Sequence, residues 1–232
     1  MTTTSPSEQD RLKRAAAAQA IMEIEDGMVV GLGSGSTAAF AIEALAARVA
    51  KGLRVAGIPT SEKTASLARR LGVPLTSFAG HRRIDVAIDG ADQVERATLD
   101  LVKGLGGALL REKIVASASD RMIIVVDETK LVDRLGAHTP LPVEIVSFGW
   151  QTVVDRLAAI GCVPRLRLVG DKPFTTVGGN HIADCAIAEM PDPAGLEARI
   201  SALVGVVETG LFIGLASKIV VGRPNGVEVI DR

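Results

Sequence analysis

Cysteine, histidine and long apolar runs are scarce in this 232-residue chain, and each scarcity removes a class of chemistry. Cys162 and Cys185 are the only cysteines. They show no C-x-x-C spacing and no clustered histidine, so they read as free structural thiols of a reducing compartment rather than a disulfide framework or a zinc site. His81, His138 and His181 are scattered. His181 with Asp184 is the only pair at even loosely ligand-like spacing, and no metal site is read from it. The 26 basic and 27 acidic side chains leave a formal net charge of −1, which argues against a nucleic-acid or anionic-membrane partner. The N-terminal "MTTTSPSEQDRLKRAAAAQA" lacks an apolar signal core, and no stretch approaches the roughly 18 apolar residues needed to cross a bilayer. A cytoplasmic protein is expected.

What the chain does have is apolar content, 47% of its residues, in a length that holds one large domain or one with a small second domain. Ser5-Pro6-Ser7-Glu8 has the form of a capping box with proline at the first helical position, and the alanine-rich run after it predicts a helix to about Glu25. From there strands and helices alternate: "GMVVGLGSGSTAAFAIEALAARVA", "LRVAGIPT" with "EKTASLARRLG", a short third strand at "VPLTSFA", the strand ending at Asp89, and "RMIIVVDE". Such alternation is the mark of a parallel sheet. Beyond Leu135 the order becomes β-α-β-β-α-β ("LPVEIVSF" to "VVETGLFIG"), the ferredoxin-like split arrangement, before "KIVVG" and "GVEVID" supply closing strands. The expected fold is therefore α/β. A mostly parallel, Rossmann-like sheet domain would span 1–134 and 208–232, with a smaller ferredoxin-like α+β domain at 135–207.

Ionisable groups concentrate in "DVAIDGADQVE" and the following "KGLGGALLREKIV". Ile84, Val86, Ala87 and Ile88 predict a strand buried on both faces, so Asp89 falls at its carboxyl end and Asp92 just past it, where open α/β sheets bind ligands. An aspartate at that position can equally be a turn or cap residue. Lys103 heads a glycine-rich turn, and the helix from about Ala108 carries Glu112. Ala108, Val115 and Ala116 lie three or four residues from Glu112, so the carboxylate shares an inward-packing stripe rather than a solvated face. Burial of a carboxyl group tends to raise its pKa toward the working pH, which makes its carboxylate a better general base.

The "GLGSGST" segment after an apolar strand opens a helix. Its backbone N–H groups, with the hydroxyls of Ser34, Ser36 and Thr37, suit a phosphate or carboxylate, although a tight turn without a ligand would look the same. Gly31, Gly33 and Gly35 do not have the dinucleotide spacing, and the second strand ends in Pro59-Thr60-Ser61 rather than an acidic ribose ligand, so no nicotinamide cofactor is expected. "GIPTSEKT" misses the P-loop pattern because Glu62 stands where a glycine is needed. Thr60, Ser61 and Thr64 read as helix-capping residues in preference to ligand hydroxyl contacts.

Taken in order, "GLGSGST", "DGAD", "KGLGGALLREKI" and "PLPVE" closely resemble ribose-5-phosphate isomerase of the A type, from about Asp10 to the C-terminus. The resemblance implies an aldose–ketose isomerase of the pentose phosphate pathway that works without metal or cofactor. It also implies a homodimer or homotetramer whose smaller domain serves as a lid. Its substrate contacts fall on Ser34, Gly35, Ser36 and Thr37, on Asp89, Gly90, Ala91 and Asp92, and on Lys103, Gly104, Leu105 and Gly106. Its proton acceptor falls on Glu112, and its further lysines fall on Lys130 and Lys13. Asp89, Asp92 and Lys103 would share the catalytic work. Leu105 replaces a glycine of the usual KGGGG run, Gln93 replaces the glutamate that usually follows DGAD, and Ser34 stands where threonine is frequent. The Leu105 side chain either lines the sugar pocket or tucks under the loop, and with the other glycines and Lys103 retained the second is expected.

Two other readings stand beside this one: a non-catalytic sugar-phosphate sensor, since folds do not fix function, and a coenzyme A transferase with Glu112 as nucleophile. Turnover of ribose 5-phosphate without added cofactor separates them. That turnover is predicted to survive exhaustive chelation, because an enediolate can be held by Lys103 and backbone donors. Loss of activity to a chelator, restored by a divalent cation, would contradict it.

Overall fold

The computed structural model describes residues 6–136, 138–187 and 190–232, with side chains from residue 8. Two compact units emerge: Met1–Ala91 with Arg111–Leu131 and Leu215–Arg232, and Asp92–Leu110 with Val132–Gly214. Residues 135–207 fall inside the second unit, which also takes in Asp92–Leu110.

The first unit is built on a six-stranded sheet. Its order is Gly226–Asp231, Lys218–Arg223, Ser119–Asp127, then β3 (Ile84–Asp89), β1 (Val29–Leu32) and β2 (Ala56–Pro59). Every pairing is parallel except the terminal hairpin of Lys218–Arg223 with Gly226–Asp231. The apolar runs that predicted buried strands are buried: β1 throughout, and all of β3 except Asp85. Side chains alternate between the two faces, as strand geometry requires. Val30, Leu32, Val86, Ile88, Ile123, Val125 and Val220 pack on one face with α1 (Pro6–Ile21), α2 (Gly35–Val49) and Ala68 of α3 (Glu62–Arg70). On the other face, Val115 of α4 (Leu109–Ser117) packs over Gly31 and Ala87, so closely that an added Cβ at Gly31 would lie 2.5 Å from Val115 Cγ1. Helices on both faces of a mostly parallel sheet make this the α/β arrangement expected.

The second unit holds a four-stranded antiparallel sheet ordered Val206–Thr209, Leu141–Ile145, His181–Ala186, Val163–Leu166, with α5 (Trp150–Ala159) and α6 (Pro193–Ser201) as its crossovers. This is the β-α-β-β-α-β order expected. Its core gathers Leu141, Val143, Ile145, Val153, Leu157, Ala183 and Ile200, together with both cysteines, which are free and buried. A hydrogen bond from Cys185 holds the Cys162 thiol below its usual range, and the same bond with burial raises Cys185.

Several local expectations need correcting. The first helix stops at Ile21 rather than near Glu25, because a turn at Met22–Glu23 is followed by Asp26, whose carboxylate takes the Arg54 N–H at 2.8 Å. The proposed capping serine, Ser5, lies outside the described residues. "VPLTSFA" makes a single parallel bridge, Gly57 with Leu75, instead of a strand. A small sheet ordered Leu211–Phe212, Leu101–Val102, Gln93–Glu95, Leu131–Val132 was not foreseen, since two- and three-residue strands show no periodicity to read. "VVETGLFIG" accordingly divides at Gly210 between two sheets.

Candidate active site

Parallel strands place their carboxyl ends on one edge, and in the first unit this edge collects most of the marked residues. β1 runs into Gly33-Ser34, where the Gly33 N–H donates to Ile88 O at 2.9 Å. Gly33 has to be glycine: an added Cβ would overlap the carboxylate of Asp89. That carboxylate, 3% exposed at the end of β3, accepts the N–H of Ser34 (3.2 Å) and of Gly90 (2.8 Å) through Oδ1. Asp89 is thus a strand-end residue bonded to the glycine loop. Gly35 begins α2 at φ +92°, in the left-handed region open to glycine at little cost. Gly35 and Ser36 are exposed at this helix start, and Thr37 approaches Gly90. Backbone N–H groups of a first helical turn have no intrahelical partner, which makes the end a natural anion site.

The hydroxyl inventory sharpens the picture. Thr60 Oγ1 donates to Leu32 O (3.1 Å), Thr64 Oγ1 donates to Gly33 O (2.9 Å), and Ser61 Oγ donates to Thr64 Oγ1 (2.9 Å). Each hydroxyl has one proton, so Ser34, 2.7 Å from Thr60 Oγ1, donates to it. Both donors of Ser34 are therefore engaged inside the fold. Ser36 is exposed and Thr37 partly exposed at the same helix start. Ser61 caps α3 by accepting from Thr64 N at 3.1 Å, the capping role read from the sequence.

Asp127 was not singled out in the sequence, although it ends a strand just as Asp89 does. It is 1% exposed; its Oδ1 accepts the Thr129 N–H at 3.0 Å, which forms the turn Glu128–Lys130, and its Oδ2 lies 3.7 Å from Lys13 Nζ. Lys13 and Lys130 are thereby tied to the same strand end. Glu112, 6% exposed, lies one helical turn before Val115, so the face of α4 that packs on the sheet is also the face carrying this carboxylate. Asp92 and the 103–107 loop belong to the second unit. The Asp92 N–H donates to Val102 O, and its Oδ2 accepts the Leu105 N–H, both at 2.9 Å. Lys103 is 3% exposed, its N–H donates to Gly210 O, and its Nζ lies 5.5 Å from the centre of the Phe212 ring. Gln93 is buried, and its Oε1 accepts the Gly136 N–H at 2.7 Å, which gives the substituted residue a structural use. Among the described residues, no three His, Cys, Asp or Glu side chains gather as metal ligands, and no helix is long and apolar enough to cross a membrane. His181 Nδ1 instead meets Phe174 O at 3.0 Å.

Leu105 is a correction. The residue is 41% exposed rather than tucked under the loop, and its backbone is the part held by the protein. Leu105→Ala is therefore predicted to change stability by no more than about 0.5 kcal/mol in urea unfolding, as for an ordinary surface position. A loss of about 2–5 kcal/mol, the range of a buried leucine, would place the side chain inside.

The model of the family ribose 5-phosphate isomerase A (phosphoriboisomerase A) matches residues 56–226. The ribose-5-phosphate isomerase A of Gloeobacter violaceus is 54% identical over 221 residues, 95% of this chain and 96% of its own. The solved ribose 5-phosphate isomerase A of Methanocaldococcus jannaschii superposes with a TM-score of 0.92 at 38% identity, covering 97% of this chain and all of its own. A D-ribose-5-phosphate isomerase solved in complex with phospho-erythronic acid gives the same TM-score at 36% identity, covering 96% and 99%. With sequence identity and fold in agreement, the chain belongs to the ribose 5-phosphate isomerase A family.

Proposed function

We propose that this protein interconverts D-ribose 5-phosphate and D-ribulose 5-phosphate through an enediolate, with Glu112 as the base. The observation that carries the assignment is a glutamate kept 6% exposed on the packed face of a short helix, within a chain whose close relatives bear the isomerase name. Moving the carbonyl from C1 to C2 requires removing the C2 proton and returning one to C1. The two carbons are adjacent, so one carboxylate serves both steps. The phospho-erythronic acid of the solved relative supports such a step by its chemistry, since its planar carboxylate has the shape and charge of an enediolate end.

The remaining residues divide the work. The exposed start of α2, with Gly35, Ser36 and Thr37, receives the phosphate or a neighbouring hydroxyl, and Lys13 and Lys130 supply positive charge. Ser34 holds the loop through Asp89 and Thr60 rather than donating to the substrate. Asp89, Gly90, Ala91 and Asp92 orient sugar hydroxyls and assist ring opening. Lys103, with the amides of Gly104, Leu105 and Gly106, stabilises the developing oxyanion, where one donor is typically worth on the order of 10²–10³ in rate. The 135–207 region acts as a lid and in self-association, and exposed Val163, Leu168, Val169 and Val177 support the second role. A cytoplasmic site of action fits the metabolic relatives.

Glu112→Gln keeps the size and most hydrogen bonding of the side chain but removes the base. It is predicted to lower kcat by at least the roughly 10²–10⁴ of general acid–base catalysis while KM for ribose 5-phosphate changes little. A folded variant with near wild-type kcat would end the assignment and turn attention to Asp89 or Asp92.

A further inference from the structure

Arg167 reaches the loop that carries Lys103. It leaves the end of strand Val163–Leu166, its N–H donating to Ile182 O at 2.8 Å. Its Nη1 donates to Gly104 O (3.1 Å) and to Leu105 O (3.0 Å), successive carbonyls of the glycine turn. The other edge of the guanidinium is occupied by Asp184, which accepts from Nε at 2.8 Å and from Nη2 at 2.5 Å. The ring of Phe174 lies 5.7 Å from Cζ, and the Phe174 N–H donates to Arg167 O at 2.8 Å. The two side chains of the ion pair are 14% and 23% exposed. A guanidinium held in a bidentate fork by one carboxylate has a fixed plane and few remaining rotamers.

From this geometry we infer that Arg167 is a positioning residue of the isomerase reaction, setting the shape and polarity of the 103–107 loop. The inference rests on the proposal that Lys103 and the loop amides stabilise the oxyanion. The loop is gripped twice. Asp92 takes the Leu105 N–H, and Arg167 takes the two carbonyls, so the peptide units on either side of Leu105 are fixed in orientation. A cation on the Leu105 carbonyl also polarises that peptide unit, whose N–H belongs to Gly106, and chained hydrogen bonds strengthen one another in a low dielectric. Lysine cannot reproduce the arrangement, because an ammonium has no planar fork to meet Asp184 and two carbonyls together. A misplacement of 1 Å in a catalytic group can cost 10²-fold in rate.

The test measures kcat and KM for ribose 5-phosphate in Arg167→Met, Arg167→Ala and Asp184→Asn, with circular dichroism and thermal unfolding to establish the folded state. The expected result is a fall in kcat of about tenfold to a hundredfold in the Arg167 variants, with KM within about threefold, and a smaller fall in Asp184→Asn. Millimolar guanidinium should restore part of the kcat of Arg167→Ala and none of that of Glu112→Gln. A merely structural role would lower the unfolding temperature and leave kcat per folded molecule intact. Folded Arg167 variants within about twofold of wild-type kcat would overturn the inference. If neither folds, the same criterion applied to Asp184→Asn decides. Lys103→Met is the separating control: unaltered kcat there would reject the oxyanion role of the loop itself, whatever the Arg167 variants do.

Discussion

The carboxylate of Asp89 is the constraint on which the rest of the sheet-edge architecture depends. It lies nearly buried at the end of β3 and bonds the amides of Ser34 and Gly90, so it ties the loop after β1 to the loop after β3. A buried carboxylate without such donors would be costly, and the two amides without such an acceptor would be left unpaired. Gly33 follows from this contact, since any Cβ there would overlap the carboxylate. Gly35, in a left-handed conformation, then lets the chain turn into α2 with its first amides outward. Asp127 repeats the device on the neighbouring strand, where its carboxylate forms the turn that ends in Lys130 and holds Lys13.

Two positions that differ from the usual family pattern are absorbed within the second unit. Gln93 uses its amide oxygen on Gly136. Leu105 keeps the backbone bonds of the loop and leaves its side chain at the surface. In both cases backbone hydrogen bonding fixes the local path and the side chain adapts to it. That is the physical reason why a leucine is accommodated in a glycine-rich turn.

How much of this was legible in the amino acids depended on the range of the interaction. The buried strands of the large sheet were readable because runs such as Ile84 to Ile88 can only be covered on two faces, and the inward side of Glu112 was readable from Ala108, Val115 and Ala116. The small sheet containing Gln93–Glu95 and Leu101–Val102 was not, because its strands are set by partners far along the chain rather than by any local period. Ser34 shows the same limit in the site. Its hydroxyl reads as a ligand donor beside Ser36 and Thr37, yet a long-range partner, Thr60, takes its proton. Arg167 carried no local signal at all, and only the pairing of Val163–Leu166 with His181–Ala186 brings it to Asp184.

The central claim, that the Glu112 carboxylate alone moves the proton between C2 and C1, is tested most directly by hydrogen exchange in deuterium oxide. Wild-type protein is predicted to place solvent deuterium at C2 of recovered ribose 5-phosphate and at C1 of ribulose 5-phosphate during turnover. A folded Glu112→Gln variant is predicted to place it at neither. Exchange by that variant at the wild-type rate would contradict the account.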